Sequence, residues 1–421
     1  MGVSARALAT IAALTSLVAL AACSNPGEKP KWTGSDGSAG GPSASASAEL
    51  PKATFTAPAD GASNVSTATE LSLQASPGAN ATVTLTDASG ATVAGALRPD
   101  GATWIPGAQL KYGTQYTATV TSAGDTAGKK VTFTTMAKPG KTVNVSTALS
   151  DNKTYGVAVP IVVRFGSSVP QELRASVEKR LLVTSDPPQI GTWYWFNGGE
   201  VHFRPKEYWQ TGTKVSVRLA TGGLQLTKTG YGTKDVTTNF TIGDKIIMTT
   251  DDKTKHMTVE KNGKVIKTIP VSLGKAKTPS SSGNMVVMDK QQSELFVSTD
   301  PSDPYRTTVY WTQRTTSGGE YIHAAPWSEG DQVKRNVSHG CTNVSTDNAK
   351  FLFNLTKIGD VHIVKGTPRK LAWGNGWTDW DKPWSEYVKG SALPPPADPG
   401  TGTDPSASAQ PSASVTASPA A

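Results

Sequence analysis

At 421 residues the chain exceeds one ordinary core and calls for two or three domains plus tails. It is 37% hydrophobic and 7% aromatic, with 41 Gly and 28 Pro gathered in turns and at the ends, and its many Thr, Val and Gly favour β architecture over helix bundles. The net charge of +8 comes without a Lys/Arg run interleaved with aromatics, which argues against a nucleic-acid partner; on an exported chain such a surface suits anionic wall polymers or lipid headgroups, or is simply solvated.

Residues 1–22 carry one basic residue, Arg6, and then an apolar run from Ala7 to Ala22, short for a membrane span and flanked like an export signal. They end in Leu20-Ala21-Ala22-Cys23, which resembles a bacterial lipoprotein signal. That resemblance implies cleavage before Cys23, lipidation of its thiol, and a chain held at the cell membrane facing the wall; an uncleaved anchor and a plain secretory signal are the alternatives. One acyl chain binds membranes marginally, so firm attachment needs the diacylglycerol-type modification that the resemblance implies. With Cys23 so used, Cys341 has no disulfide partner. A lone exported thiol gains no staple and risks oxidation, so a chemical role for Cys341 outweighs that of a small core residue.

Residues 23–52, the lipidated cysteine and the Ser, Gly, Ala and Pro that follow it, are too poor in apolar residues to pack and read as a flexible linker. Over 53–139, short alternating runs such as 81–86 and 116–120 are separated by turns such as Asp87-Ala88-Ser89-Gly90, the spacing of an immunoglobulin-like β-sandwich. A second such module fits 140–244. Its close echoes the first: 110–120 overlays 209–219, Gly113-Thr114 and Gly212-Thr213 each precede an alternating strand, and Phe133-Thr134 and Phe240-Thr241 follow, a weak repeat with a period of about one hundred residues.

A third domain spans 245–366. Residues 256–261 and 264–269 flank Asn262-Gly263, a hairpin signal because that pair tolerates the positive φ angles of a type I′ turn. A Ser-rich loop runs through Gly283, and a strand is expected over 284–289. Beyond Cys341, Ser345 is placed to cap a helix with Ala349, Leu352 and Phe353 on one face and Gly359 at its end; 361–364 closes the domain as a strand. The fold class is therefore mainly β: two immunoglobulin-like sandwiches, then a β-rich domain with one or two short helices. In 367–390, Trp373, Trp377, Trp380, Trp384 and Tyr387 approach helical spacing, but Gly374, Gly376 and Pro383 break it, giving an irregular cap. Its aromatics either stack on sugars or pack on the preceding domain, and the size of Trp favours packing. Residues 391–421, rich in Pro, Ala, Ser and Thr, read as a disordered tail.

The chemistry concentrates in Tyr321-Ile322-His323-Ala324-Ala325-Pro326-Trp327 and Val337-Ser338-His339-Gly340-Cys341-Thr342-Asn343. A cysteine nucleophile works as its thiolate and needs a base within reach, and both His323 and His339 compete for that role. A zinc site built on Cys341 and His339 lacks a second thiol and regular ligand spacing, so no metal or cofactor is expected. His202, His256 and His362 fall in no partner pattern and read as structural or surface residues.

His323, fourteen intervening residues and then Ser338-His339-Gly340-Cys341-Thr342-Asn343 resemble the signature of the bacterial L,D-transpeptidases with a YkuD-like catalytic domain. The Asn-Gly hairpin, Thr278-Pro279, Tyr305-Arg306, Trp311 and Ala325-Pro326-Trp327 extend the likeness, and tandem modules before that domain with a Trp-rich extension after it resemble the wall-anchored members. The resemblance implies Cys341 as nucleophile and His323 as its base. It also implies an oxyanion hole of the His339, Gly340 and Cys341 N–H groups, a bracing role for Asn343, and a substrate cleft drawing on Tyr305, Met288, Ser338, Asn343 and Trp327; core packing is an equal reading of Met288. The implied reaction is a 3→3 peptidoglycan cross-link made from a tetrapeptide stem donor, with loss of the terminal D-Ala and transfer to an acceptor stem. Carbapenem-type inhibitors are implied to acylate the same thiol. L,D-carboxypeptidase trimming, with water as acceptor, and a non-catalytic wall-binding scaffold lipoprotein are the alternatives. Two departures stand out: Thr342 where the family usually has an apolar residue, and Ala324 where close relatives often have Ser. Since the family uses the main-chain carbonyl there to orient the base, Ala324 should serve as well.

Overall fold

The computed structural model describes residues 50–98, 100–298 and 300–396. The expectations for Cys23, for the export signal and for nearly all of the linker and the tail lie outside these described residues.

Alternation along each strand decides which face is buried. In Gln115–Ser122 every second residue, from Tyr116 to Ser122, is buried, as a half-buried strand requires. This strand pairs with Asp125–Thr135 and Thr82–Asp87 in a five-stranded sheet, and Leu71, Leu85, Trp104, Tyr116 and Phe133 pack between it and a four-stranded partner. The second sandwich joins two four-stranded sheets around Val157, Ile161, Trp193, Trp209 and Phe240. The sequence repeat is a repeat of register: Gln115 and Tyr116 pair with Thr134 and Phe133, while Lys214 and Val215 pair with Thr241 and Phe240. A short helix, Gln171–Glu178, had no clear signal, because its only internal apolar anchors are Leu173 and Val177.

In the third domain a six-stranded sheet runs in the order Lys264–Pro270, His256–Lys261, Ile246–Asp251, Val361–Lys365, Ser281–Val286, Arg369–Lys370. Asn262 and Gly263 take φ of 51° and 79° at the first hairpin, the left-handed pair a type I′ turn requires. A four-stranded sheet of Asp289–Val297, Arg306–Arg314, Tyr321–Ala324 and Thr342–Val344 faces it across Met248, Met257, Ile269, Ile322 and Leu352. Ser281–Val286 begins inside the stretch expected to be a loop, because Ser281 N–H and Oγ both donate to the buried Glu320 carboxylate. Ser345 caps the helix Thr346–Leu355, accepting from Asn348 N–H at 3.3 Å, and Ala349 and Leu352 are its buried residues. The helix stops at Thr356 rather than at Gly359. Thr356 Oγ1 lies 2.8 Å from Leu352 O and 2.6 Å from Gln313 Oε1, sharing its one proton between them, whereas Gly359 lies in a turn whose carbonyl accepts from Ala158 N–H of the second sandwich.

The Trp-rich cap packs inward. Trp377 joins Val286 and Val361 in the core of the second sandwich, Trp380 Nε1 donates to Ala158 O at 2.8 Å, and Trp373 stacks on Phe196 with ring centroids 4.8 Å apart. His202 anchors it: Nδ1 lies 3.1 Å from both Asp379 carboxylate oxygens and Nε2 3.0 Å from Glu200 Oε1. Burial alone would lower the imidazole's proton affinity, but Asp379 and Glu200 outweigh it and raise the pKa to about 9. The second sandwich, the third domain and the cap thereby share one core, which fixes the frame of the site.

Candidate active site

The strands Tyr321–Ala324 and Thr342–Val344 run parallel, with Ile322 opposite Thr342 and His323 opposite Asn343. Register alone therefore brings His323 beside the chain that leaves Cys341. His323, Cys341, Ser338, His339, Asn343, Tyr305 and Trp327 line one cleft of about 440 Å³, completed by Phe296, Thr307, Val309, Asp331 and Val337. That size suits a peptide segment or a small ligand.

His323 is 4% exposed. Its Nδ1 lies 2.9 Å from Ala324 O; since a carbonyl only accepts, Nδ1 carries the proton and Nε2 is the basic nitrogen. Phe296 and Trp327 flank the ring at 5.5 and 6.2 Å between centroids. Burial lowers its pKa to about 4, against a smaller opposing effect of the Ala324 bond. Burial likewise pushes the Cys341 thiol up to about 12; a hydrogen bond from Tyr321 N–H works the other way, and the charges of Glu320 and Glu294 add to the rise. The resting pair is thus a neutral imidazole and a thiol, and the thiol's partner at 3.8 Å is Gly319 O.

The loop before Cys341 is tied down from below. Ser338 Oγ donates to Cys341 O at 2.6 Å and accepts from Gly340 N–H at 3.1 Å. Ser280 Oγ donates to Gly340 O at 2.7 Å, and Thr278 Oγ1 to Ser338 O at 3.2 Å. Gly340 holds φ of 127°, a region L side chains avoid. Two expectations are corrected. The Gly340 N–H is engaged by Ser338 and is not a third oxyanion donor, and the Ser338 hydroxyl braces the loop although the residue borders the cleft.

His339 turns its ring away from a base's position: Nε2 is 2.9 Å from both Asp303 Oδ2 and Lys275 Nζ, and the ring packs on Tyr305. Asn343 Nδ2 donates to Ser328 Oγ at 3.2 Å, a tie to the turn Pro326–Ser328. Trp327, 58% exposed, and Tyr305 border the cleft. Met288 does not: its sulfur accepts from Trp377 N–H at 3.2 Å under the C-terminal cap, so it packs rather than binds, because the strand turns at 287–288 toward the second sandwich. Glu320, Ser280 and Arg369, all within the loop's support, escaped the sequence reading; a carboxylate beside Gly318-Gly319 is a signal only once the fold sets it against Gly340.

The chain is similar in sequence to known proteins. Residues 62–225 match the model of a bacterial Ig domain, across both sandwiches, and residues 245–364 match that of the L,D-transpeptidase catalytic domain, YkuD. L,D-transpeptidase 2 of Mycobacterium tuberculosis is 37% identical over 79% of this chain and 83% of its own. L,D-transpeptidase 5 of the same organism is 35% identical over 82% and 78%. A solved structure of the L,D-transpeptidase LdtMt1 in complex with imipenem is 32% identical and covers 54% of this chain and all of that one, with a TM-score of 0.46. With a relative this similar over most of both chains, the protein belongs to the L,D-transpeptidase family and is an L,D-transpeptidase with a YkuD catalytic domain.

Proposed function

We propose that this enzyme makes 3→3 peptidoglycan cross-links through an acyl-enzyme on Cys341. The observation that carries the reading is the shared cleft in which a buried thiol and a His323 imidazole with a fixed tautomer stand together. His323 Nε2 takes the thiol proton as sulfur attacks the carbonyl of the third residue of a tetrapeptide stem. The tetrahedral oxyanion then collapses, the C–N bond to the terminal D-Ala breaks, and His323 returns the proton to the departing amine. A side-chain amine of an acceptor stem attacks the thioester, His323 removes its proton, and the thiolate is released. The N–H groups of His339 and Cys341 are the proposed oxyanion donors, each worth on the order of 3 kcal/mol in the transition state.

Transfer and carboxypeptidase trimming share the donor cleft and the acyl-enzyme and differ only in whether an acceptor amine or water attacks it, so the products formed from a tetrapeptide stem separate them. The Cys23 signal supports a lipid-anchored enzyme facing the wall; a shift of Cys23→Ala from the membrane to the soluble fraction tests that part. Carbapenem-type inhibitors are expected to acylate Cys341 by opening the β-lactam ring. Intact-mass measurement of the full-length chain should show an adduct of the carbapenem's mass that Cys341→Ala lacks. An adduct that persists in Cys341→Ala, or none in the parent, would sink the assignment of the nucleophile.

A further inference from the structure

Behind the nucleophile loop sits a buried carboxylate, flanked in the chain by residues next to the sulfur. Glu320 is 7% exposed. Its Oε2 accepts from Ser281 N–H at 3.1 Å, and its Oε1 accepts from Ser281 Oγ at 2.7 Å and pairs with the Arg369 guanidinium. Both members lie against Gly340: a Cβ on that glycine would stand 3.7 Å from Glu320 Cγ and 3.7 Å from Arg369 Nη2. The peptide units flanking Glu320 touch the sulfur itself. Gly319 O accepts the thiol at 3.8 Å, and the Tyr321 N–H favours the thiolate.

We propose that Glu320 and Arg369 form a positioning pair for Cys341. The carboxylate clamps the Gly319–Tyr321 segment, so that one carbonyl holds the thiol proton and one amide receives the thiolate, and the guanidinium cancels the carboxylate's charge at the sulfur. A clamp alone could be neutral. A carboxylate this close to a developing thiolate repels it unless a cation is paired with the carboxylate, and Arg369 is placed to be that cation.

The other groups facing Cys341 leave this task undone. Glu294 adds negative charge and is held by Tyr321 Oη and Thr312 Oγ1. Tyr305 and Tyr321 are phenols with raised pKa, and His323 is neutral. His339 is tied to Asp303 and Lys275, and Arg314 stands over the Tyr321 ring.

The inference rests on Cys341 being the nucleophile, and its test needs no turnover. Full-length protein is alkylated with iodoacetamide from pH 6 to 9, and the S–C bond formed at Cys341 is followed by peptide mass spectrometry, so that Cys23 does not interfere. Removing one neighbouring charge shifts a thiol pKa by about one unit; the roughly tenfold change in thiolate is partly offset by its altered nucleophilicity, which leaves about threefold in rate. Glu320→Gln should therefore alkylate about threefold faster and Arg369→Gln about threefold slower at each pH. Arg369→Lys should restore the parent rate, and the double variant should return toward it. A merely structural clamp moves both single variants the same way, or lowers the melting temperature with the rate unchanged; either result overturns the proposal. Should Glu320→Gln not fold, Arg369, whose side chain is 46% exposed, decides it alone: a parent-like rate in Arg369→Gln refutes the pair. Loss of the carbapenem adduct in Cys341→Ala tests the nucleophile separately.

Discussion

His323 is oriented by its own neighbour: Nδ1 donates to the main-chain oxygen of Ala324 at 2.9 Å. Because a carbonyl does this work, the side chain at 324 is free to vary, and Ala324→Ser should keep parent-level acylation by a carbapenem. His323→Gln should lose it about 10²- to 10⁴-fold, the usual contribution of a positioned base. Since burial holds the imidazole's pKa near 4, the acid limb of the acylation rate should fall close to pH 4 rather than near 6.5. A limb at the ordinary histidine position would mean that the ring is solvated in the working enzyme.

His202 ties stability to pH in the opposite sense. Its folded pKa of about 9 lies above the unfolded value of about 6.5, so between these the native state binds more protons and stability falls as pH rises. The clasp with Asp379 and Glu200 is fully present below pH 6.5 and lost through pH 9, a span worth on the order of 3 kcal/mol. Melting temperature measured from pH 6 to 10 should decline in the parent and flatten in His202→Gln. His323 and His362, whose pKa values burial lowers to about 4 and about 3, act on the acid side, where stability is lost as pH drops below 6.5.

Gly340 separates strain from clash. A Cβ there meets nothing nearer than 3.7 Å, so Gly340→Ala costs only the strain of a φ of 127°, about 1–3 kcal/mol. Relaxing that strain moves the amides beside Cys341. The variant should fold, with a small loss in denaturant midpoint, and lose a much larger share of its acylation rate.

Much of this was legible because local chemistry and tertiary fold agree. The Asn262-Gly263 hairpin, the Ser345 cap and the histidine and cysteine of the site follow from φ preferences, capping and thiol activation. Met288 stood equally between cleft and core, and Glu320 went unread, for one reason: each is defined by a partner distant in sequence, Trp377 for the first and Arg369 for the second. The loop at 278–283 became partly strand because Ser281 found a buried carboxylate that no local pattern announces. The Gly340 amide likewise depended on where the Ser338 hydroxyl turned.

The cap packs on the second sandwich. Trp380 donates to Ala158 O and lies 4.4 Å from Tyr208 between ring centroids, and Arg204 stands 4.5 Å over it. Trp380→Ala should cost about 3–5 kcal/mol, seen as a fall in the urea midpoint. A midpoint unchanged from the parent would return the aromatic cluster to a ligand-binding role.

The central claim is acyl transfer from Cys341 to a second stem. Full-length protein incubated with disaccharide-tetrapeptides should yield, by mass spectrometry, a dimer with a 3→3 linkage and free D-Ala, both absent with Cys341→Ala. Tripeptide stems without any dimer would contradict the account and make the enzyme a carboxypeptidase.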